Sequence, residues 1–161
     1  MLFLPVAAGM FYAQRQLFPA TNHLEFPGLR PRNAWVETFV WIRENTPTSA
    51  YFALNPDHMR MRGEDQHGFR AIAERSMLAD NVKDSGAVTM FPALAQTWQE
   101  QVDAQRGWKD FGRPDFEKLQ SRFGVNWFEL EKAQTAGMDC PHENSGLYVC
   151  RVPESTKPAE Q

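Results

Sequence analysis

The sequence lacks the features that would assign it directly to a membrane-spanning, secreted or nucleic-acid-binding class. Its longest apolar run, residues 1–13, is shorter than the roughly 20 residues that a membrane-spanning helix needs. No Lys or Arg precedes that run, although a secretory signal peptide begins with positive charge. The 17 basic and 20 acidic residues give a net charge of −3 with no long run of one sign, which disfavours nucleic-acid binding.

Recognisable cofactor and metal motifs are also missing. The chain has no Gly-rich phosphate loop, no dinucleotide-binding fingerprint and no G-x-S-x-G nucleophile turn. Acidic and histidine residues are dense between positions 57 and 67, but their spacing does not match a helical zinc-binding pair. Cys140, His142 and Cys150 would supply three zinc ligands without a clear fourth. We therefore expect neither a metal ion nor a cofactor.

What is present indicates one globular domain behind a short apolar segment. The composition, with 42% hydrophobic and 23% charged residues, is typical of a folded chain. Residues 1–18 look like the last turns of a membrane helix whose upstream part is missing, and residues 19–32, with three prolines, form an expected linker. A single α/β domain is expected over residues 33–152, followed by a disordered polar tail at 153–161.

Hydrophobic periodicity predicts alternating helices and strands within residues 33–152. Short apolar runs at 49–54, 76–79, 125–130 and 147–152 favour four strands. Amphipathic spacing predicts helices over 33–45, 67–75, 92–105 and 114–123, with Asn33 capping the first and Gly124 ending the last. This alternation indicates a small three-layer α/β sandwich, in which helices flank a mostly parallel sheet of about four strands. Trp98 is expected in the core and Trp108 in an exposed loop.

A set of polar residues around two predicted strand ends forms the candidate ligand-binding site. In an open α/β sheet, ligands bind outside the carboxyl ends of the strands. Arginine and lysine could hold a sugar or a phosphate there, while carboxylates and amides accept hydroxyl hydrogen bonds. The alternative is that these residues are loop caps and ion pairs, and no catalytic residue is assigned. The candidates are Asn55, Asp57, His58, Arg70, Asp80, Lys83 and Asp84.

The two cysteines of the chain lie close together near its C-terminus. Cys140 falls in a turn-rich segment, and Cys150 lies inside the apolar run at 147–152. Their spacing suits a local disulfide in an oxidising compartment. Two free thiols in a reducing compartment are the alternative.

The order of several short segments resembles that of a known class of membrane proteins. These segments are WIRENTP at 41–47, NPDHM at 55–59, GFRA at 68–71, ERS at 74–76 and FGVNW at 123–127. Together with the apolar start, they look like the C-terminal soluble region of bacterial polytopic membrane proteins. Those proteins are similar to the GT-C class of lipid-linked-sugar glycosyltransferases. The resemblance covers residues 1 to about 151.

The resemblance implies an accessory role in place of a complete enzyme. In the GT-C class the catalytic acidic residue lies in an external loop between the first membrane helices, and this sequence has no such segment. The resemblance therefore implies a non-catalytic domain at the bacterial inner membrane that faces the periplasm. Its implied partners are the membrane portion of the parent protein and a lipid-linked sugar or glycan.

Two other functions remain open at the level of the sequence. One is a free-standing small hydrolase that would use Asp57, His58 and Asp80 in acid–base roles. The other is a purely structural or interaction domain without a ligand.

Overall fold

The structure of the protein is a computed structural model that describes residues 3–17, 33–61 and 68–152. The expected linker at 19–32 and the expected tail at 153–161 lie outside the described residues, as does the polar loop at 62–67. Helix α1 (Phe3–Leu17) covers the apolar N-terminal segment, and most of its large apolar side chains are exposed to solvent. Within the described residues, every helix is too short or too polar to cross a lipid bilayer.

A five-stranded mixed sheet forms the centre of the domain. Its strands are β1 (Tyr51–Ala53), β2 (Ser76–Met77), β3 (Trp127–Glu131), β4 (Asp139–Glu143) and β5 (Leu147–Arg151). The spatial order is β2-β1-β3-β5-β4, in which β1 pairs in parallel with both β2 and β3. Strand β5 runs antiparallel to both β3 and β4. The α/β class is confirmed, whereas the expectation of about four mostly parallel strands is wrong.

The additional strand, β4, has a sequence that does not indicate a strand. Its five residues, Asp-Cys-Pro-His-Glu, contain a proline and no apolar alternation. Strand β4 lies at the edge of the sheet, where a proline and charged side chains are tolerated because one side of the strand needs no hydrogen-bonded neighbour. Because β4 and β5 form a hairpin, no helix crosses over between them, and their pairing is antiparallel.

Helices cover both faces of the sheet and bury two separate apolar clusters. Helices α2 (Ala34–Asn45) and α3 (Gly68–Ala73) pack with Phe52 and Trp127 on one face. Helix α6 (Arg113–Phe123) packs with Phe128 and Leu130 on the other face. Alternate residues of a strand point to opposite faces, which is why consecutive residues of β3 enter different clusters.

The ends of two helices follow the expected capping chemistry. The Asn33 Oδ1 atom accepts hydrogen bonds from the backbone N–H groups of Trp35 at 2.8 Å and Val36 at 3.4 Å, which begins α2. Gly124 ends α6 with a φ of 74°, a left-handed conformation that glycine adopts without a steric penalty. Both predictions are confirmed.

Helices α4 (Lys83–Met90) and α5 (Ala95–Ala104) bury no residue of their own. We refer to residues 83–104 as the helical arm. Polar contacts attach α5 to the segment after β2: the Trp98 Nε1 atom donates to the Asp80 carbonyl at 3.0 Å, and the Gln105 side chain, just past α5, donates to the Ala79 carbonyl at 2.9 Å. The Gln101 side chain accepts from the Ala79 N–H at 2.9 Å. Trp98 is thus half-buried at the surface, which corrects the expectation that it lies in the core.

A disulfide joins Cys140 of β4 to Cys150 of β5, as the sequence predicts. Cys140 lies in a strand where a turn-rich loop was expected, and Cys150 is fully buried. The bond therefore ties the outermost strand of the sheet to the core.

Candidate functional site

The segments that follow β1 and β2 meet at one end of the sheet. The Asn81 N–H donates to the Pro56 carbonyl at 2.8 Å, which links the two segments directly. Both segments leave the carboxyl ends of parallel strands, as the sequence predicts. The predicted site residues lie around this junction, but they separate into an ion-pair network, a buried histidine and an open cleft.

Arg70, Asp80 and Asp84 form the ion-pair network. The Arg70 guanidinium donates to both carboxylate oxygens of Asp84, at 3.0 and 2.9 Å, and to the Asp80 Oδ2 atom at 3.4 Å. It also donates to the Met77 carbonyl at 3.1 Å. Arg70 thus connects α3, the end of β2 and the first turn of α4, which is the structural role that the sequence left as an alternative.

Asp80 also organises the start of α4 with its second carboxylate oxygen. The Asp80 Oδ1 atom accepts from the N–H groups of Val82 at 2.7 Å, Lys83 at 2.6 Å and Asp84 at 3.3 Å. A carboxylate is favourable at this position because the first N–H groups of a helix lack partners within the helix. Asp80 is only 2% exposed, so its carboxylate is not open to a ligand.

His58 is fully buried beneath the segment that follows β1. Its Nδ1 atom lies 3.0 Å from the Asn55 carbonyl oxygen, while its Nε2 atom has no hydrogen-bond partner among the described residues. Burial holds the pKa of His58 below its usual value, which favours the neutral imidazole. His58 is therefore a buried structural residue, and its ring does not face solvent.

Asn55 and Asp57 line an open cleft of about 660 Å³, which we call the strand-end cleft. The Asn55 side chain accepts from the Asp57 N–H at 2.9 Å and so shapes the turn after β1. The Asp57 carboxylate pairs with Arg60 at 2.8 Å and stays partly exposed to solvent. These two are the members of the predicted site that lie in the strand-end cleft.

The opposite wall of the strand-end cleft comes from α5 and the turn after it, which lie outside the site predicted from the sequence. Gln105 is fully buried in this wall, and its Oε1 atom has no hydrogen-bond partner among the described residues. Trp108 is 4% exposed and packs against Phe116, which corrects the expectation of an exposed Trp108. The residues of this wall form no motif from which the wall could be predicted. The wall consists of Val102, Gln105, Arg106, Gly107, Trp108, Lys109 and Asp110, and Asn81 of the segment after β2 completes the lining of the cleft.

Arg70, Asp80 and Lys83 line a second, smaller pocket of about 340 Å³ between α3 and the end of β2. Apolar side chains, including Met59 and Phe69, form much of its wall. The predicted site is therefore distributed over two pockets, with His58 and Asp84 lining neither of them. Nowhere in the described ranges do three or more His, Cys, Asp or Glu side chains come together in a way that could hold a metal ion.

Comparison with known proteins identifies no relative of this chain. No family model matches it, and neither the curated proteins nor the solved structures contain a match.

Proposed function

We propose that this chain is a non-catalytic accessory domain of a larger membrane protein and that the strand-end cleft binds the sugar of a glycan or a lipid-linked sugar. The domain would face the periplasm at the bacterial inner membrane. The parent would be a glycosyltransferase that uses a lipid-linked sugar. The membrane partner and the glycosyltransferase parent rest on the sequence resemblance, and the ligand class rests on the chemistry of the cleft.

The composition of the strand-end cleft is the observation that carries the proposal. Asp57, Asn81 and Arg60 place a carboxylate, an amide and a guanidinium around one opening, and these groups match the hydroxyl donors and acceptors of a sugar. Apolar groups of Pro56, Met61 and Val102 line the same space and suit the C–H faces of a pyranose ring. Polar groups converging on a partly apolar concave site are typical of small-ligand binding.

The disulfide supports the proposed compartment. A bond between Cys140 and Cys150 persists in the periplasm, where thiols are oxidised, and would be rare in a reducing cytosol. The disulfide does not identify a ligand, so it supports only the location.

The hydrolase alternative gains no support from the geometry. Such an enzyme needs an acid and a base that reach the same substrate. Asp57 faces the strand-end cleft, whereas His58 is buried and Asp80 is bound to three backbone N–H groups. These three groups therefore do not line one open site.

Saturation-transfer NMR on the full chain tests the ligand class. The probes are methyl α-D-glucopyranoside, methyl α-D-mannopyranoside and N-acetylglucosamine, each titrated in turn. We expect saturation transfer to at least one probe. Alanine substitution of Asp57 or Asn81 should weaken its binding about three- to tenfold, the effect of losing one hydrogen bond.

Gln120→Ala provides the matched control because Gln120 is a half-buried polar residue in a separate pocket near Asn126 and Arg151. This variant should bind the same sugar with unchanged affinity. An absence of saturation transfer to all three probes in the folded wild type would favour the structural or interaction domain. Equal weakening by Gln120→Ala and Asp57→Ala would place the binding outside the strand-end cleft.

A further inference from the structure

The connection between α4 and α5 exposes three large apolar side chains. Met90 is 71% exposed, Phe91 is 60% exposed and Leu94 is 52% exposed. We call residues 90–94 the apolar tip. Neither helix of the arm has a buried residue, so these side chains are not the edge of a core that continues inward. Met90, Phe91 and Leu94 are the exposed large hydrophobic residues of the described domain at 33–61 and 68–152.

The apolar tip lies in a stretch without charged residues, a feature that it shares with the apolar run at residues 1–14. Residues 85–99 contain no Asp, Glu, Lys, Arg or His, although charged residues make up 23% of the sequence. Charged residues return immediately on both sides, at Asp84 and at Glu100. A surface segment that faces only water has no need to exclude charge, whereas a segment that enters a low-dielectric phase does, because a charge there is costly.

The shape of the apolar tip favours a lipid bilayer over a protein groove as the surface that covers it. A single 3₁₀ turn that begins at Pro92 joins the two helices, and the apolar side chains at this junction are exposed and do not line a groove. Phe, Leu and Met side chains insert at the boundary between lipid headgroups and acyl chains, where the burial of each apolar group makes the free energy of binding more favourable. The exposed apolar residues of α1 give the same chain a second element suited to that phase.

We propose that the apolar tip inserts into the interfacial region of a lipid bilayer. This proposal rests on the proposed function, in which the domain belongs to a membrane protein. It adds a direct lipid contact and an orientation. Helix α5 leads from the tip to Val102 and Gln105 in the wall of the strand-end cleft, and a ten-residue helix is about 15 Å long. The cleft would therefore lie within reach of a sugar carried on a membrane lipid.

Site-specific fluorescence tests the insertion in the full chain. Ala93→Cys places one reactive thiol in the apolar tip, since Cys140 and Cys150 are joined in the disulfide. With an NBD label there, neutral phosphatidylcholine vesicles should shift the emission to the blue and raise its intensity at least about twofold. Lipids that carry a spin label near the top of the acyl chain should quench that signal. The same label at Ser121→Cys, an exposed position on α6, should not respond.

Two further variants distinguish a vesicle response of the apolar tip from a response of α1 and from self-association of the protein. A label at Gly9→Cys reports on α1, since a side chain at Gly9 meets nothing within 4 Å. The triple variant Met90→Ser, Phe91→Ser and Leu94→Ser, labelled at residue 93, should lose the vesicle response while keeping the wild-type thermal unfolding, because these side chains are exposed.

Each outcome decides between the proposals. A response at residue 9 without one at residue 93 would overturn tip insertion while leaving the accessory-domain proposal in place. A response at residue 93 without vesicles that grows with protein concentration would show that a second copy covers the tip, which also overturns the proposal. If the label at residue 93 responds to vesicles but the wild type binds none of the three sugars, the result would count against the proposed ligand only.

Discussion

Asp80 shows how one carboxylate can resemble a ligand group in sequence and act as a structural residue in the fold. Its two oxygens are committed to the first N–H groups of α4 and to Arg70. Its position in a polar loop of the sequence predicts a surface residue, at which an alanine substitution would cost about 1 kcal/mol at most. Burial at 2% exposure removes the basis for that expectation.

We predict that Asp80→Ala lowers the free energy of unfolding by about 2–4 kcal/mol, because buried N–H groups and the Arg70 charge lose their partner. Asp57→Ala should lower it by less than about 1 kcal/mol, since the Asp57–Arg60 pair is exposed to solvent. Urea unfolding of both variants at pH 7 measures the difference. Similar midpoints for the two variants would contradict the assignment of Asp80 to the structural network.

At the scale of elements, the β4–β5 hairpin is the part of the sheet that depends most on a covalent bond. Strand β4 has one neighbouring strand and contributes alternating half-buried and exposed side chains. In the chain-entropy model, a disulfide closing a loop of about ten residues stabilises the fold by about 2.5 to 3 kcal/mol.

Reduction of the wild-type chain with dithiothreitol should therefore lower its free energy of unfolding by about that 2.5 to 3 kcal/mol. Urea unfolding with and without the reductant provides the measurement. The double variant Cys140→Ser, Cys150→Ser should show no response to dithiothreitol and serves as the control. Mass spectrometry after alkylation without reductant should find both thiols of the wild type blocked. Two alkylated thiols in periplasmically expressed protein would remove both the bond and the argument for an oxidising compartment.

Most elements that the sequence predicted have apolar side chains whose spacing reflects burial, with α5 as an exception, because its spacing predicted a helix although it buries no residue. Helices α2 and α6 carry apolar residues at helical spacing and explicit capping residues, and the apolar runs that became β1, β3 and β5 enter the core. The sequences of strand β4 and helix α4 give no such indication, because β4 lies at the edge of the sheet and α4 buries no residue. Their conformations depend on distant partners: pairing with β5 for the strand, and Asp80 for the start of the helix.

The candidate site was predictable on one side only. Strand ends located Asn55 and Asp57 at the strand-end cleft because the rule for parallel sheets depends on topology alone. The facing wall, including Gln105 and Trp108, comes from a helix that packs across the junction through polar side chains. Hydrophobic spacing carries no information about that packing, since the contacts are single hydrogen bonds between residues more than 20 positions apart.

For the whole molecule, one buried histidine and one half-buried histidine make the stability depend on pH. Burial lowers the pKa of His58, and burial also lowers the pKa of His142, which stacks on Trp41. The unfolded chain then binds protons more readily than the folded one, so stability present above the unfolded pKa of about 6.5 is lost as the pH falls below it.

We accordingly expect the free energy of unfolding to fall between pH 7.5 and pH 5.5. His58→Gln should reduce the size of that fall, and His142→Gln should reduce it as well. Urea unfolding at several pH values measures both slopes, and comparison with the wild type removes the contributions of His23 and His67, which all three proteins share. A steeper fall in either variant would contradict a depressed histidine pKa in the folded state.

The helical arm has a consequence for how the strand-end cleft opens. Beyond the Arg70–Asp84 pair at its start, the arm is held by the hydrogen bonds of Trp98, Gln101 and Gln105, so we expect it to open locally at a lower free energy than the sheet and its two clusters. Val102 is the arm's contribution to one wall of the cleft, whereas Gln105 and Trp108 of the same wall are buried outside the arm, so it is the Val102 edge of the cleft that moves with the arm. A ligand that contacts Val102 as well as Asp57 would hold the arm in place, so the rate at which the arm opens would contribute to the residence time of that ligand.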